Sequence, residues 1–135
     1  MSDRTLHEIL TRTRRIALVG ASNKSHRPSF EVMAFLLAQG FDVTPVNPNL
    51  PGASIQGRQV VASLDAATPA DMVDVFRASE KVAPTVADAI RLRAKVVWMQ
   101  LGVIDFLSAA SARDAGILVV MDRCPVIEMR RLGIA

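Results

Sequence analysis

Short, continuous apolar runs alternate along this chain with segments of helical periodicity, and few folds can satisfy that alternation. The runs are Arg15-Ile-Ala-Leu-Val-Gly20, Phe41-Asp-Val-Thr-Pro-Val46, Met72-Val-Asp-Val-Phe76, Lys95-Val-Val-Trp-Met99 and Ile117-Leu-Val-Val-Met121. Brief apolar stretches bounded by glycine or turn residues are what strands buried on both faces require. Between them, Ser29–Gln39 repeats Phe30, Met33, Ala34 and Leu37 at helical spacing and stops at Gly40. Lys81–Leu92 places Val82, Val86, Ala89 and Ile90 on one side, with Pro84 in the first turn. Phe106–Ala115 is the next helix, and Leu6, Ile9 and Leu10 mark a leading amphipathic helix. Strands separated by helices of about three turns predict a parallel sheet with helices on both faces. Right-handed crossovers then make the expected fold a doubly wound α/β sheet, mainly parallel and five-stranded. Residues 47–68 are rich in Pro, Gly, Ala and Ser and predict a surface excursion with a turn or strand near Val60-Val61.

With 135 residues, the chain fits one domain: a leading helix at 1–14, a core at 15–128 and a tail at 129–135. An apolar fraction of 50% against 21% charged residues excludes intrinsic disorder. The net charge of +3 is too small to mark a nucleic-acid protein. Five Phe, one Trp and no Tyr leave no series of stacking platforms for single strands. One cysteine excludes an internal disulfide, and two distant histidines argue against zinc. No apolar run reaches the length of a membrane span, and the polar N-terminus does not read as a signal peptide. A reduced, cytoplasmic setting without nucleic-acid or membrane partners is expected, and a protein partner stays open.

In an open parallel sheet, ligands bind beyond the carboxyl ends of the strands, so the strand exits are the places to look. The first exit, Gly20-Ala-Ser-Asn-Lys-Ser-His-Arg-Pro-Ser29, combines a glycine, the Ser22 hydroxyl, Lys24, Arg27 and the start of a helix. These are the ingredients of a phosphate cradle; the plain alternative is a solvated loop with Ser29 as the helix cap. Neither G-x-x-x-x-G-K-[ST] nor G-x-G-x-x-G is present. The second exit, Pro45-Val-Asn-Pro48, has no carboxylate for a ribose, and Asp42 stands at the strand's entering end. That weakens a dinucleotide reading. Asn47, held between two prolines, could offer its amide to a ribose or base, or simply form a turn. Val75 and Phe76 could wall a flat base, with Arg77 and Ser79 at the rim and Ser79 alternatively capping the next helix. Gln100, Leu101 and Gly102 form the fourth exit, in which Gly102 permits close backbone approach.

Taken in order, Val19-Gly-Ala-Ser22, Arg27-Pro-Ser29, Pro45-Val-Asn-Pro48, Val75-Phe-Arg77, Trp98-Met-Gln-Leu-Gly102 and Met121-Asp-Arg-Cys124 carry a resemblance. Together they resemble the small single-domain CoA-binding proteins, and through them the nucleotide-binding domain of the succinyl-CoA synthetase alpha subunit. The resemblance covers about Arg15 to Glu128 and implies a Rossmann-like domain that binds coenzyme A or an acyl-CoA. It implies that Gly20, Ala21 and Ser22 meet the pyrophosphate, with Lys24 and Arg27 available to the phosphates. Pro45, Asn47 and Pro48 would border the adenosine, Val75 and Phe76 would wall the adenine, and Gln100, Leu101 and Gly102 would face the site. A side chain at Gly20 is expected to intrude on the pyrophosphate. Relatives often have an aromatic residue where this chain has Val61.

No nucleophile–base pair is readable, so a binding module without catalysis of its own is the expectation. His7 and His26 read as surface residues. The phosphohistidine of the synthetases lies in a further domain, so the resemblance carries binding and not ligation. Cys124 is either a buried small hydrophobe or a thiol facing the ligand. Asp122 and Glu128 read as structural groups. An NAD(P)-dependent oxidoreductase domain, or a regulatory subunit with a vestigial pocket, are the alternatives.

Overall fold

The computed structural model describes residues 1–135. Helix α1 (Asp3–Arg12) leads into β1 (Arg15–Val19), α2 (Pro28–Ala38) and β2 (Asp42–Val46). A two-stranded antiparallel ribbon follows, β3 (Ser54–Ile55) and β4 (Arg58–Gln59), turning through Gln56 and Gly57, both at positive φ. The chain then forms β5 (Met72–Val75), α3 (Val82–Arg91), β6 (Val96–Met99), α4 (Phe106–Asp114), β7 (Leu118–Val120) and α5 (Pro125–Arg131). The five-stranded sheet has the order β2-β1-β5-β6-β7 and every pairing in it is parallel. This is the doubly wound Rossmann-like α/β architecture.

Strand alternation sends successive side chains to opposite faces and so defines two cores. Ile16, Leu18, Val43, Met72, Val96, Trp98 and Val120 pack on one side with Leu6, Val32, Met33, Leu36 and Met129 of α1, α2 and α5. Ala17, Val73, Val75, Val97, Met99 and Val119 pack on the other with Val82, Val86, Ala89, Ala109 and Ala112 of α3 and α4. Each fully buried Val or Leu here contributes roughly 1.5–3 kcal/mol by leaving water.

The strand order reverses between β1 and β5. The chain moves outward from β1 to β2, then returns past β1 to lay down β5, β6 and β7. Helices α2 and α3 therefore pack on opposite faces, and the loops leaving β1 and β5 diverge above a crevice. Phe76 N–H donates to Val19 O at 2.8 Å, which stitches the two exits together at its base.

Helix α5 was not expected from the sequence. The supposed tail boundary at 128 falls inside it, and Met129 is 2% exposed. Its seven residues are too few to establish a period, and Pro125 opens it at the first helical position. The ribbon at 54–59 was also unforeseen, while near Val60-Val61, where a turn or strand was expected, Val61 forms only an isolated parallel bridge with Val46.

Candidate functional site

A cleft of about 840 Å³ opens at the crevice between the β1 and β5 exits. Of the residues expected at a site, Gly20, Ala21, Ser22, Lys24, Arg27, Asn47, Phe76, Arg77, Gln100 and Leu101 line it. The loop after β1 is pinned at its start, at the edge of the cleft. The N–H groups of Gly20 and Ala21 both donate to Val46 O, at 3.0 and 3.2 Å. These two N–H groups are therefore spent on the backbone, although both residues line the cleft. The open N–H groups lie further along, at Ser22, Asn23 and Ser29, none of which has a protein acceptor. Ser22 Oγ accepts from Lys24 N–H at 3.1 Å and bends the loop toward the helix. Helix α2 starts with Pro28 at its first position; the Phe30 and Glu31 N–H groups donate to Arg27 O, so Ser29 carries the one open N–H of the first turn, at the helix's partially positive end beside the cleft. Ser29 is thus inside the helix, buried and lining the cleft, and does not cap it.

Gly20 is indispensable for another reason than the one foreseen. Its φ of +88° suits glycine, and a Cβ there would stand 2.1 Å from Phe76 O. The collision is with the neighbouring strand exit and not with the cleft. Glycine here allows the two exits to approach each other, which forms the floor of the crevice.

Asn47 is a positioning residue. Its Nδ2 donates to Ala21 O at 2.8 Å, and its Oδ1 accepts from Asn49 N–H at 2.8 Å. The amide that the sequence offered to a ribose ties the second exit to the first. Pro45 and Pro48 do not line the cleft: Pro45 is buried in β2 and Pro48 is exposed on the turn. Val75 does not line it either, because alternation sends its side chain into the core beneath α3, while Phe76 faces the cleft. Gly102 lies outside the lining, its N–H held by Asp122 Oδ1 at 2.7 Å. Ser79 is not the cap of α3. Its hydroxyl donates to Gly102 O at 3.1 Å and accepts from Ile104 N–H at 3.0 Å, joining the β5 and β6 exits.

The electrostatics are one-sided. Lys24, Arg27 and Arg77 line the cleft with Glu31 as the sole carboxylate, and none of the three cations is in an ion pair. Deeper in, Gln100 is 5% exposed and its Oε1 has no hydrogen-bond partner. Cys124 lines the same cleft from the start of α5 and is also buried, so its position matches both readings open to it. Beneath the site, Asp74 on the central strand is fully buried, with both carboxylate oxygens unpartnered. Burial drives its acid group well above the ordinary carboxylate range. His26 is exposed and outside the cleft, as is His7. Residues that sequence reasoning passed over include Asn23, Val32, Asn49 and Leu50. The first turn of α2 signalled Val32, three residues on from Ser29 and on the same face.

A parallel sheet with a cation-rich crevice at its topological switch defines the class of doubly wound nucleotide-binding domains. The sequence model of the CoA binding domain family matches residues 14–130, and the chain belongs to that family. A Bacillus subtilis relative, the uncharacterized protein YneT, is 34% identical over 120 residues, covering 88% of this chain and 87% of its own. Two solved structures superpose closely. One, from Thermus thermophilus, has a TM-score of 0.92 at 37% identity, covering 98% of this chain and 99% of its own. The other, a hypothetical protein from Pyrococcus horikoshii OT3, has a TM-score of 0.92 at 39% identity, covering 98% and 92%. A Rex-family repressor, RSP, in complex with beta-NADH shares the fold at a TM-score of 0.60 and 16% identity, covering 95% of this chain and 65% of its own. No helix is long and apolar enough to cross a membrane.

Proposed function

We propose that the cleft binds coenzyme A or an acyl-CoA, and that residues 1–135 form one unit built to hold it without converting it. The observation that carries this reading is the set of unpaired cations, Lys24, Arg27 and Arg77, gathered at the switch point beside open backbone N–H groups. What sets these three apart from other unpaired surface cations is their convergence on one concave site that holds a single carboxylate, Glu31, and that arrangement favours a polyanionic ligand. Coenzyme A has that chemistry: a pyrophosphate, a further phosphate on the ribose, and a long arm of amides. Ser22, Asn23 and the first turn of α2 would receive the pyrophosphate, with Lys24 and Arg27 neutralising it and Arg77 reaching in from β5. Phe76 and Leu50 would border the adenine. Pro45, Pro48, Val75 and Gly102 act from behind, by shaping the exits, while Asn47 braces the first exit from within the cleft wall.

The cofactor of the alternative reading fits less well. An NAD ribose calls for a carboxylate at the end of the second strand. That strand ends at Val46 and Asn47, and Asp42 sits at its opposite end, paired with Arg58.

The test is calorimetric titration of the protein with CoA and dephospho-CoA, repeated on the Lys24→Ala/Arg27→Ala double variant. We expect one CoA per chain and a loss of roughly tenfold or more in affinity in the variant, in line with two charge-assisted contacts. A greater loss for CoA than for dephospho-CoA assigns these cations to the ribose phosphate. An equal loss assigns them to the pyrophosphate. Unchanged affinity for both ligands would refute the cradle. With ATP or GTP, CoA and short carboxylic acids, no nucleotide consumption is expected; acid-dependent turnover would contradict a purely binding role.

A further inference from the structure

Cys124 is a group in the cleft whose chemistry the binding reading does not use. It is the only cysteine in the chain, 8% exposed, and it lines the cleft while packing in the same core cluster as Ala21 and Val32. The backbone holds it in place. Trp98 Nε1 donates to Arg123 O at 2.8 Å, and Arg123 N–H donates to Met99 O at 3.3 Å. The segment carrying the thiol is thereby fastened to the end of β6, where Gln100 follows directly. An independent feature of that corner points to a ligand. Gln100 is 5% exposed, lines the cleft, and buries an Oε1 that accepts no hydrogen bond. Leaving such an acceptor unmet is unfavourable, a cost removed when a donor arrives.

Coenzyme A brings suitable donors in the amide N–H groups of its pantetheine arm, and that arm ends in a thiol. A ligand anchored through its phosphates at Lys24, Arg27 and Arg77, and donating an arm amide to Gln100, delivers its sulfur to the corner that Cys124 occupies. We infer that Cys124 is a thiol-exchange site for the ligand's sulfur, at which the disulfide form of CoA is captured as a protein–CoA mixed disulfide. The inference rests on the CoA-binding reading above.

The step is balanced without an outside oxidant. The Cys124 thiolate attacks one sulfur of the CoA disulfide, the S–S bond of that disulfide breaks, and a new S–S bond joins Cys124 to one CoA. The second CoA leaves as a thiolate and takes up a proton, matching the one that Cys124 released. One disulfide is consumed and one is formed. A thiol such as dithiothreitol reverses the process by the same chemistry. Disulfides that lack the nucleotide have no anchor in the cleft and meet a largely buried sulfur, so selectivity arises from holding the reacting sulfurs together.

The experiment follows adduct formation by intact mass spectrometry after mixing the reduced, desalted protein with CoA disulfide. We expect one CoA adduct per chain, removed by dithiothreitol and absent in Cys124→Ser. Its rate should exceed that with glutathione disulfide at equal concentration by roughly tenfold or more, and excess acetyl-CoA, which has no free thiol, should suppress it. Gln100→Ala should slow the reaction with CoA disulfide and leave that with cystamine unchanged, an outcome that general loosening of the fold would not give. Equal rates with the two disulfides would overturn the inference, as would no adduct in a sample whose melting temperature CoA raises. If CoA fails to raise the melting temperature, the binding reading falls and this inference falls with it.

Discussion

The two ends of the sheet handle their polar groups in opposite ways. At the amino-terminal end, Asp71 Oδ2 accepts from Arg14 N–H at 3.0 Å and Arg15 N–H at 2.9 Å, and Asp71 pairs with Lys95 at 3.3 Å. Asp42, at the start of β2, is paired with Arg58. Partial burial of the Asp71 carboxyl works against ionisation, but the two N–H groups and Lys95 outweigh it and hold its pKa below the usual range. At the carboxyl end, Lys24, Arg27 and Arg77 have no carboxylate partner, the N–H groups of Ser22, Asn23 and Ser29 are open, and Gln100 Oε1 is buried without a donor. The carboxylates Asp71 and Asp42 at one end are spent on stability. At the other, Asn47, Ser79 and Asp122 brace the exits, but the three cations, the open N–H groups and Gln100 Oε1 stay unspent, and unspent groups gathered in a concave site are the physical mark of a place for a ligand.

This comparison can be broken from either end. The largest effect is expected from Gly20→Val. A side chain 2.1 Å from Phe76 O, on a residue at φ +88°, forces the β1 and β5 exits apart. A loss of roughly 3 kcal/mol or more is expected, read from the shift in the urea midpoint. A variant with wild-type stability would show that the exits do not meet as described.

A second test concerns Asp74, whose folded pKa burial raises well above the ordinary value. The sign follows from which state binds the proton more tightly. Below the ordinary carboxylate pKa, both folded and unfolded chains carry the proton, and Asp74 imposes no pH-dependent penalty. As pH rises, the unfolded chain ionises first, so stability falls until the folded pKa is passed. Asp74→Asn should remove that decline, so wild type should lose stability relative to the variant as pH rises above the ordinary carboxylate range. Parallel stability profiles would mean that Asp74 ionises in place.

At the amino-terminal end, Asp71→Ala strips two backbone N–H groups of their acceptor. It should cost about 1–3 kcal/mol of stability while leaving CoA affinity within a factor of about two. The smallest effect is expected from Arg77→Ala, a single cation at the cleft rim. Stability should stay within about 0.5 kcal/mol, and CoA affinity should fall by a few-fold at low salt, with the difference shrinking as salt screens it. If Asp71→Ala weakened CoA as much as Arg77→Ala, the division of labour between the ends would not hold.

Much of this was legible in the sequence, for identifiable reasons. The apolar runs located the sheet strands to within a residue or two, because strands covered on both faces cannot carry many polar side chains. The run Met72–Phe76 was readable even with Asp74 inside it, although nothing local indicated that Asp74 would be left without a partner. The exits also located the cleft, since strand ends and switch point follow from topology. What the sequence could not show was direction. Val75 and Phe76 are adjacent and both apolar, yet only Phe76 faces the cleft, because the phase of alternation decides the matter. Asn47 and Gly20 were singled out as ligand contacts, but the groups they meet in the fold, Ala21 O and Phe76 O, belong to segments distant in sequence. Long-range contacts of that kind leave no local pattern. The short ribbon at 54–59 and the seven-residue α5 lacked enough residues to display a period.

The central claim is that the unspent groups at the carboxyl end belong to coenzyme A. The most direct measurement is the melting temperature of the wild-type protein across a concentration series of CoA, with NAD run in parallel. Ligand binding to the folded state raises stability with the logarithm of concentration above the dissociation constant. The account expects that rise with CoA and none with NAD over the same range. Equal or greater protection by NAD, or none by CoA, would contradict it.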